Sequence, residues 1–292
     1  MDLVFNLVLK IIPYILVGWL LSRLKIRSIE TFIKYFVSFA LYILIPLFIF
    51  FAMWSAPLKQ NLNNTKNIGM IAVIVVLFGI FFAVVYSKIF YTDFRDTALP
   101  IIFMNSAYLA IPVNTVFFGT TATFYAIIYN ITISILHFTI GLWIVSGSGK
   151  EIFRLPILYF AFLGILLNLT DVKIPLQLTG FSKMLTSVTL PVMLCLVGYQ
   201  IKMLDYNMLK RTLVGVSLRM LGGVVVAFVF CKIFDITGIT RSVCLISSSM
   251  PSAVNTYIFS KEYNADFSFA SSMIVVGLIF SVILIPLILW LL

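Results

Sequence analysis

Charge is scarce in this chain. Asp, Glu, Lys and Arg make up 10% of its 292 residues, whereas a soluble domain carries about 25%. Folding buries only about three quarters of the surface at this size, so no water-soluble fold can hide a chain that is 62% hydrophobic. Cysteine is scarce as well. Cys195, Cys231 and Cys244 all fall within apolar runs, which excludes a disulfide framework and a CxxC metal site. Histidine occurs once, at His137, and no cofactor is expected. Carboxylates are missing from the apolar runs altogether: Asp2, Glu30, Asp93, Asp96, Glu151, Asp171, Asp205, Asp235, Glu262 and Asp266 all fall at span ends or in loops. An intramembrane aspartyl protease needs two embedded carboxylates and is thereby excluded. A proton- or sodium-coupled carrier commonly keeps one at mid-membrane, so coupling here is left to carbonyls, to His137 or to the substrate, or there is no tight ion coupling.

What remains is a polytopic helical membrane protein. A spanning helix needs about 20 apolar residues, and ten can be read at 3–22, 32–54, 68–90, 97–118, 121–145, 155–169, 184–201, 212–234, 240–260 and 267–292. The connecting segments are too short for a soluble domain. Residues 1–22 lack a basic n-region and outlast a signal h-region, so they read as the first span. On alternate loops, Arg23, Lys25, Arg27, Lys34, Lys88, Arg95, Lys150, Arg154, Lys202, Lys210, Arg211 and Lys261 collect on one side, against Lys59, Lys66, Lys173, Lys183, Lys232 and Arg241 on the other. The richer side is expected to face the cytoplasm, with both termini outside a plasma membrane. The net charge of +10 fits orientation and anionic lipid; no basic domain exists to bind nucleic acid.

Internal repetition organises the spans. Val113-Asn114-Thr115-Val116-Phe117-Phe118 recurs as Val254-Asn255-Thr256-Tyr257-Ile258-Phe259, Ile45-Pro46-Leu47 as Leu190-Pro191-Val192, and Gly18-Trp19-Leu20-Leu21 as Gly164-Ile165-Leu166-Leu167. All three offsets lie near half the chain. The expected fold is therefore an all-α polytopic membrane protein: ten transmembrane helices in two inverted five-helix repeats, 1–146 and 154–292, joined by a cytoplasmic linker at 147–153. Five is odd, so the second copy threads the membrane upside down.

Spans four and nine carry proline in mid-run, Pro112 and Pro251. Proline removes a donor and breaks or kinks a helix, and a broken helix is tolerated at membrane depth only against protein or a cavity. Two breaks meeting at a pseudo-two-fold axis make a crossover whose half-helix N-termini suit a carboxylate. Candidate ligands for a polar substrate surround them: Asn105, Ser106, Tyr108 and Asn114 at the first, Ser248, Ser249 and Asn255 at the second. Simple proline kinks with polar side chains gluing helices together are the structural alternative.

The stretch Phe103-Met104-Asn105-Ser106-Ala107-Tyr108-Leu109-Ala110-Ile111-Pro112 resembles the N-x-x-x-L-G-I-P pattern of span four in the auxin efflux carrier family, with Ala110 where that family carries glycine. Leu163-Gly164-Ile165-Leu166-Leu167, Leu190-Pro191-Val192 and Leu196-Val197-Gly198-Tyr199-Gln200-Ile201 resemble its spans six and seven. Met250-Pro251-Ser252-Ala253-Val254-Asn255, Phe259-Ser260-Lys261-Glu262-Tyr263 and Ser281-Val282-Ile283-Leu284-Ile285-Pro286-Leu287 resemble its spans nine and ten. The family includes plant PIN proteins and bacterial malate and malonate permeases. The resemblance implies a scaffold from 1–54 and 155–201, a moving transport unit from 68–145 and 212–292, elevator-type alternating access, a homodimer, and a small organic anion held near Asn105 and the Pro112/Pro251 crossover.

Four further residues are singled out. Asn130 and His137 lie about two turns apart on one face of span five, where His137 reads as a neutral core histidine or, more sharply, a proton relay. Gln200 ends span seven and faces the crossover in the implied arrangement. Arg219, about two turns from Lys210-Arg211, reads as snorkelling toward the cytoplasm rather than attracting the anion. Ser146-Gly147-Ser148-Gly149-Lys150 hints at a P-loop, but Glu151 stands where Ser or Thr is required. A sodium-coupled carrier like the bile acid symporters, and an anion-binding receptor that does not transport, stay open beside the organic-anion permease. An intramembrane enzyme is not expected, because no nucleophile–base pair is present.

Overall fold

The computed structural model describes residues 11–24, 35–36, 38–55, 62–146, 156–199 and 206–292. These form helices α1 (Ile12–Arg23), α2 (Ile45–Trp54, preceded by a π-helical turn Ala40–Leu44), α3 (Leu62–Phe90), α4 (Phe94–Ile102) and α5 (Ala110–Leu136). A second π-helical turn, His137–Gly141, continues into α6 (Leu142–Ser146). Then come α7 (Pro156–Leu169), α8 (Leu176–Tyr199), α9 (Leu209–Ile233), α10 (Gly238–Ser248), α11 (Val254–Glu262) and α12 (Phe267–Leu291). Lys10, Gln200 and the 147–153 linker lie outside the described residues.

Several of these helices are long and apolar enough to cross a membrane, so the chain is an all-helical, multi-pass membrane protein. Two helices outrun their apolar stretches. α3 begins at Leu62 rather than 68, and α8 at Leu176 rather than 184. Hydropathy reports only the stretch in oil, and polar residues such as Asn63, Asn64 and Lys66 extend the helix into the interface.

α5 is bent back on itself. Gly119 has φ 77° and ψ −162°, a conformation essentially restricted to glycine. Eight residues of straight helix span about 12 Å, yet Thr115 Oγ1 and Thr123 Oγ1 lie 2.8 Å apart. The chain therefore reverses at Gly119, between the segments read as spans four and five. A Gly119→Val substitution is expected to destabilise the protein by about 1–3 kcal/mol, measured as a lowered Tm in detergent.

Spans four and nine are interrupted. Between α4 and α5, residues 103–109 leave the helix, and between α10 and α11, residues 249–253 do the same. The two gaps lie side by side as short antiparallel segments, with Met104 opposite Ser252. The Asn105 N–H donates to the Pro251 carbonyl (2.7 Å) and the Ala253 N–H to the Phe103 carbonyl (2.9 Å). This mutual pairing is what permits open backbone at membrane depth, where each unsatisfied group costs several kcal/mol. Pro251 sits in its gap as expected. Pro112 does not make the other one: it lies in the first turn of α5, where the missing N–H is not needed. The interruption begins nine residues earlier, at Phe103.

Packing divides the helices into two groups. α1 packs along α8 and α2 along α7, while α3, α4, α5, α9, α10, α11 and α12 pack among themselves. Gly18 brings α1 onto α8, where a Cβ would lie 1.9 Å from the Cys195 carbonyl oxygen; Gly198 returns the contact, with its Cβ position 1.8 Å from the Ile15 carbonyl oxygen. α2 and α7 are tied at one end by Trp54 Nε1–H donating to the Val172 carbonyl (2.6 Å) and Asn168 Nδ2–H donating to the Trp54 carbonyl (2.7 Å). Acidic residues work at the span ends: Asp93 caps α4 through the Arg95 N–H, and Asp266 caps α12 through the Phe269 N–H, both at 2.9 Å.

Candidate substrate site at the helix crossover

The C-terminal end of α4 leaves carbonyls that continued helix would have used. Two of them are satisfied from across the crossover. Ser252 Oγ–H donates to the Pro100 carbonyl (2.5 Å), and Arg219 Nη1–H to the Ile102 carbonyl (2.6 Å). Arg219 Nη2–H also donates to the Ser248 carbonyl (3.0 Å) at the end of α10. Arg219 is thus buried at 2% exposure and not snorkelling. From the Leu209 start of α9 it is ten residues, about 15 Å of helix rise, which is half the hydrocarbon thickness and beyond an arginine's reach to the interface.

Beside the two gaps lies a cavity of about 290 Å³. Asn105, Ser106, Tyr108, Asn130, His137 and Asn255 line it, as do Ser134, Phe138, Phe259 and Tyr42. No Lys, Arg, Asp or Glu is among its lining residues. Asn105 Oδ1 accepts the Tyr108 N–H (3.1 Å), turning the backbone into α5. Ser106 Oγ–H donates to Asn130 Oδ1 (2.9 Å), which leaves the Asn130 Nδ2 donors without a partner. His137 stacks on Phe103 with ring centroids 4.2 Å apart, and its Nε2 is also unpartnered. The N-terminus of α11 opens here through Ala253, Val254 and Asn255, and no side chain caps it. Its free N–H groups and positive dipole end face the space.

The other sequence-derived candidates sit elsewhere. Asn114 donates to the Ala110 carbonyl (2.8 Å) and Ser247 Oγ (3.3 Å), Ser248 Oγ pairs with Tyr129 Oη (2.9 Å), and Ser249 Oγ–H donates to the Ile246 carbonyl (2.7 Å). These three residues do not line the cavity; the Asn114 and Ser248 bonds join α5 to α10, and the Ser249 bond closes the end of α10 on itself. Ser134 escaped the sequence reading although a signal existed: Asn130, Ser134 and His137 follow an i, i+4, i+7 stripe on one helix face. Phe138, Phe259 and Tyr42 carried no such signal, being unexceptional in an aromatic-rich chain. Among the described residues no group of His, Cys, Asp and Glu could hold a metal ion.

The outer end of α4 is electrostatically distinct. Burial, together with the neighbouring carboxylates of Asp93 and Asp266, raises the Asp96 carboxyl above its ordinary pKa. Arg95 lies beside them and donates to the Val145 carbonyl (3.0 and 3.1 Å) and the Tyr263 carbonyl (2.6 Å), closing the ends of α6 and α11.

An all-helical membrane protein with two interrupted helices crossing beside a polar cavity has the build of a solute carrier. A family model described as membrane transport protein matches residues 145–289. An uncharacterized transporter of Methanothermobacter thermautotrophicus is 25% identical over 299 residues, covering 96% of this chain and 95% of its own. Another, from Methanocaldococcus jannaschii, is 25% identical over 309 residues, covering 98% of both chains. These matches support a membrane transport protein of the auxin efflux carrier family.

Proposed function

We propose that the protein is a secondary transporter that carries a small organic anion, a mono- or dicarboxylate, across the plasma membrane. The observation that carries this reading is the crossover cavity, where an uncapped half-helix N-terminus and an Asn130 Nδ2 unpartnered among the described residues adjoin a space whose described lining carries no charged side chain. Donors without a resident acceptor suit an anion. The lack of a fixed positive charge suits a ligand that must also leave.

The ten-helix inverted repeat is supported by the packing of its matched positions. Gly18 abuts the carbonyl of Cys195, four residues after Pro191; Gly164 abuts the carbonyl of Phe50, four residues after Pro46. Those are equivalent positions in the two halves, contacting equivalent positions. The closer packing of α1, α2, α7 and α8 with one another than with the other helices, which they meet chiefly through α5, supports a scaffold and a moving unit working by elevator-type alternating access. A homodimer formed through the scaffold belongs to the same proposal.

The test is anion flux in proteoliposomes for Asn105→Ala and Pro251→Ala. Both are expected to fall below about a tenth of wild type while membrane insertion is retained: Asn105→Ala loses the bond that turns the backbone into α5, worth about 1–3 kcal/mol, and Pro251→Ala releases the fixed φ and adds a backbone N–H that lets helix invade the gap. Unchanged flux in both overturns the assignment of the crossover, and wild-type binding without flux makes the protein a receptor.

A further inference from the structure

Among the described residues Arg219 is the one buried charged side chain, and the transport reading gives it no task. Its two hydrogen bonds go to the Ile102 and Ser248 carbonyls, the final residues of α4 and α10. Each helix C-terminus carries about half a negative charge. Two such ends aimed at one point sum to roughly one unit, which a single guanidinium balances. No carboxylate acts on Arg219 among the described residues, so the helix ends are its counter-charge. The fit is also steric. Gly223 lies one turn further along α9, and a Cβ there would stand 2.4 Å from both Arg219 Nη2 and the Ser248 carbonyl oxygen. Glycine at that position leaves the slot the guanidinium fills.

In transporters with discontinuous helices, half-helix C-terminal ends and unwound carbonyls are where coupling cations are held. We propose that the Arg219 guanidinium is a built-in counter-ion occupying that place, so that the crossover is assembled, and its anion recognised, without bound sodium. The mid-membrane carboxylates that sodium sites commonly use are absent for the same reason: the positive charge is already covalently present. Removing the guanidinium leaves two converging carbonyl ends and opens a site for a small monovalent cation. Only the transport half of the statement rests on the organic-anion reading; the cation site itself does not.

The experiment uses the purified full chain in detergent and in proteoliposomes. In choline chloride, Arg219→Ala is expected to melt lower than wild type. Adding guanidinium chloride at about 10 mM, or sodium chloride in place of choline, is expected to raise its Tm by about 5 °C and leave wild type unmoved. Wild-type anion flux is expected to agree within about twofold between sodium and choline media, while Arg219→Ala regains flux only with sodium or guanidinium. If Arg219→Ala does not fold, Arg219→Lys decides: it keeps the charge, so its Tm and flux stay indifferent to sodium. A tenfold fall of wild-type flux in choline, a sodium-dependent Arg219→Lys, or an Arg219→Ala protein that no cation stabilises each overturns the proposal. Absence of any wild-type anion flux sinks the transport reading alone, because the melting measurements still decide the role of Arg219.

Discussion

An Asn130→Asp variant is expected to lose about 100-fold or more in affinity for the transported anion while keeping its fold. The substitution changes one atom's worth of chemistry. Asn130 Oδ1, which accepts from Ser106 Oγ–H at 2.9 Å, is retained as a carboxylate oxygen, so the link from the first gap to α5 survives. Nδ2, whose donors have no partner among the described residues, becomes a second oxygen bearing negative charge. Like charges brought together in a water-poor site cost several kcal/mol, and each 1.4 kcal/mol is a factor of ten in affinity. The effect has a pH signature with a definite sign. In its protonated form the carboxyl is again neutral and able to donate. Affinity of the variant is therefore expected to recover as pH falls, relative to wild type measured in parallel. Titration calorimetry or a thermal-shift series against carboxylates checks both parts. Equal affinity of variant and wild type at neutral pH would remove Asn130 from the site.

The sequence made the multi-pass membrane character, the interrupted helices and the Asn130–His137 face legible, because each follows from local composition and periodicity. Oil-length apolar runs identify membrane helices whatever their neighbours do. The position of the first interruption was less legible. Proline marks where helical donors become dispensable, and Pro112 marks the start of the next helix, so the gap itself had to be located by the Phe103 and Asn105 backbone groups finding Ala253 and Pro251. Arg219 was the least legible residue. Its nearness to Lys210 and Arg211 is a fact of sequence, whereas its partners at Ile102 and Ser248 lie 117 and 29 residues away. No one-dimensional signal says that two helix ends converge there. The same holds for Asn114, Ser248 and Ser249: polar character drew attention to them, and only the fold shows that Asn114 and Ser248 bond between helices, that Ser249 bonds within α10, and that none of the three lines the cavity.

Replacing Gly198 with leucine is expected to abolish the folded state, or to lower its stability by about 3 kcal/mol or more, the upper end of overpacking effects. At this position even the first side-chain atom would stand 1.8 Å from the Ile15 carbonyl oxygen and 2.9 Å from the Trp19 N atom. Those are backbone atoms of α1, which no rotamer change can move aside. The helices must separate along their length, and α1 and α8 are an extensively packed pair. In lipid, such packing is the main force between helices, since the surrounding chains are as apolar as the side chains. Gly18 faces the same seam from the other side, 1.9 Å from the Cys195 carbonyl oxygen, so Gly18→Leu is expected to match it. Gly180, on the same helix as Gly198 but with nothing within 4 Å of its Cβ position, is the control: Gly180→Leu is expected to leave the protein monodisperse. Fluorescence-detected size-exclusion chromatography with a melting series reads all three. If Gly198→Leu stays monodisperse with an unchanged Tm, α1 and α8 are not clasped here, and the rigid group against which the crossover is proposed to move loses its footing.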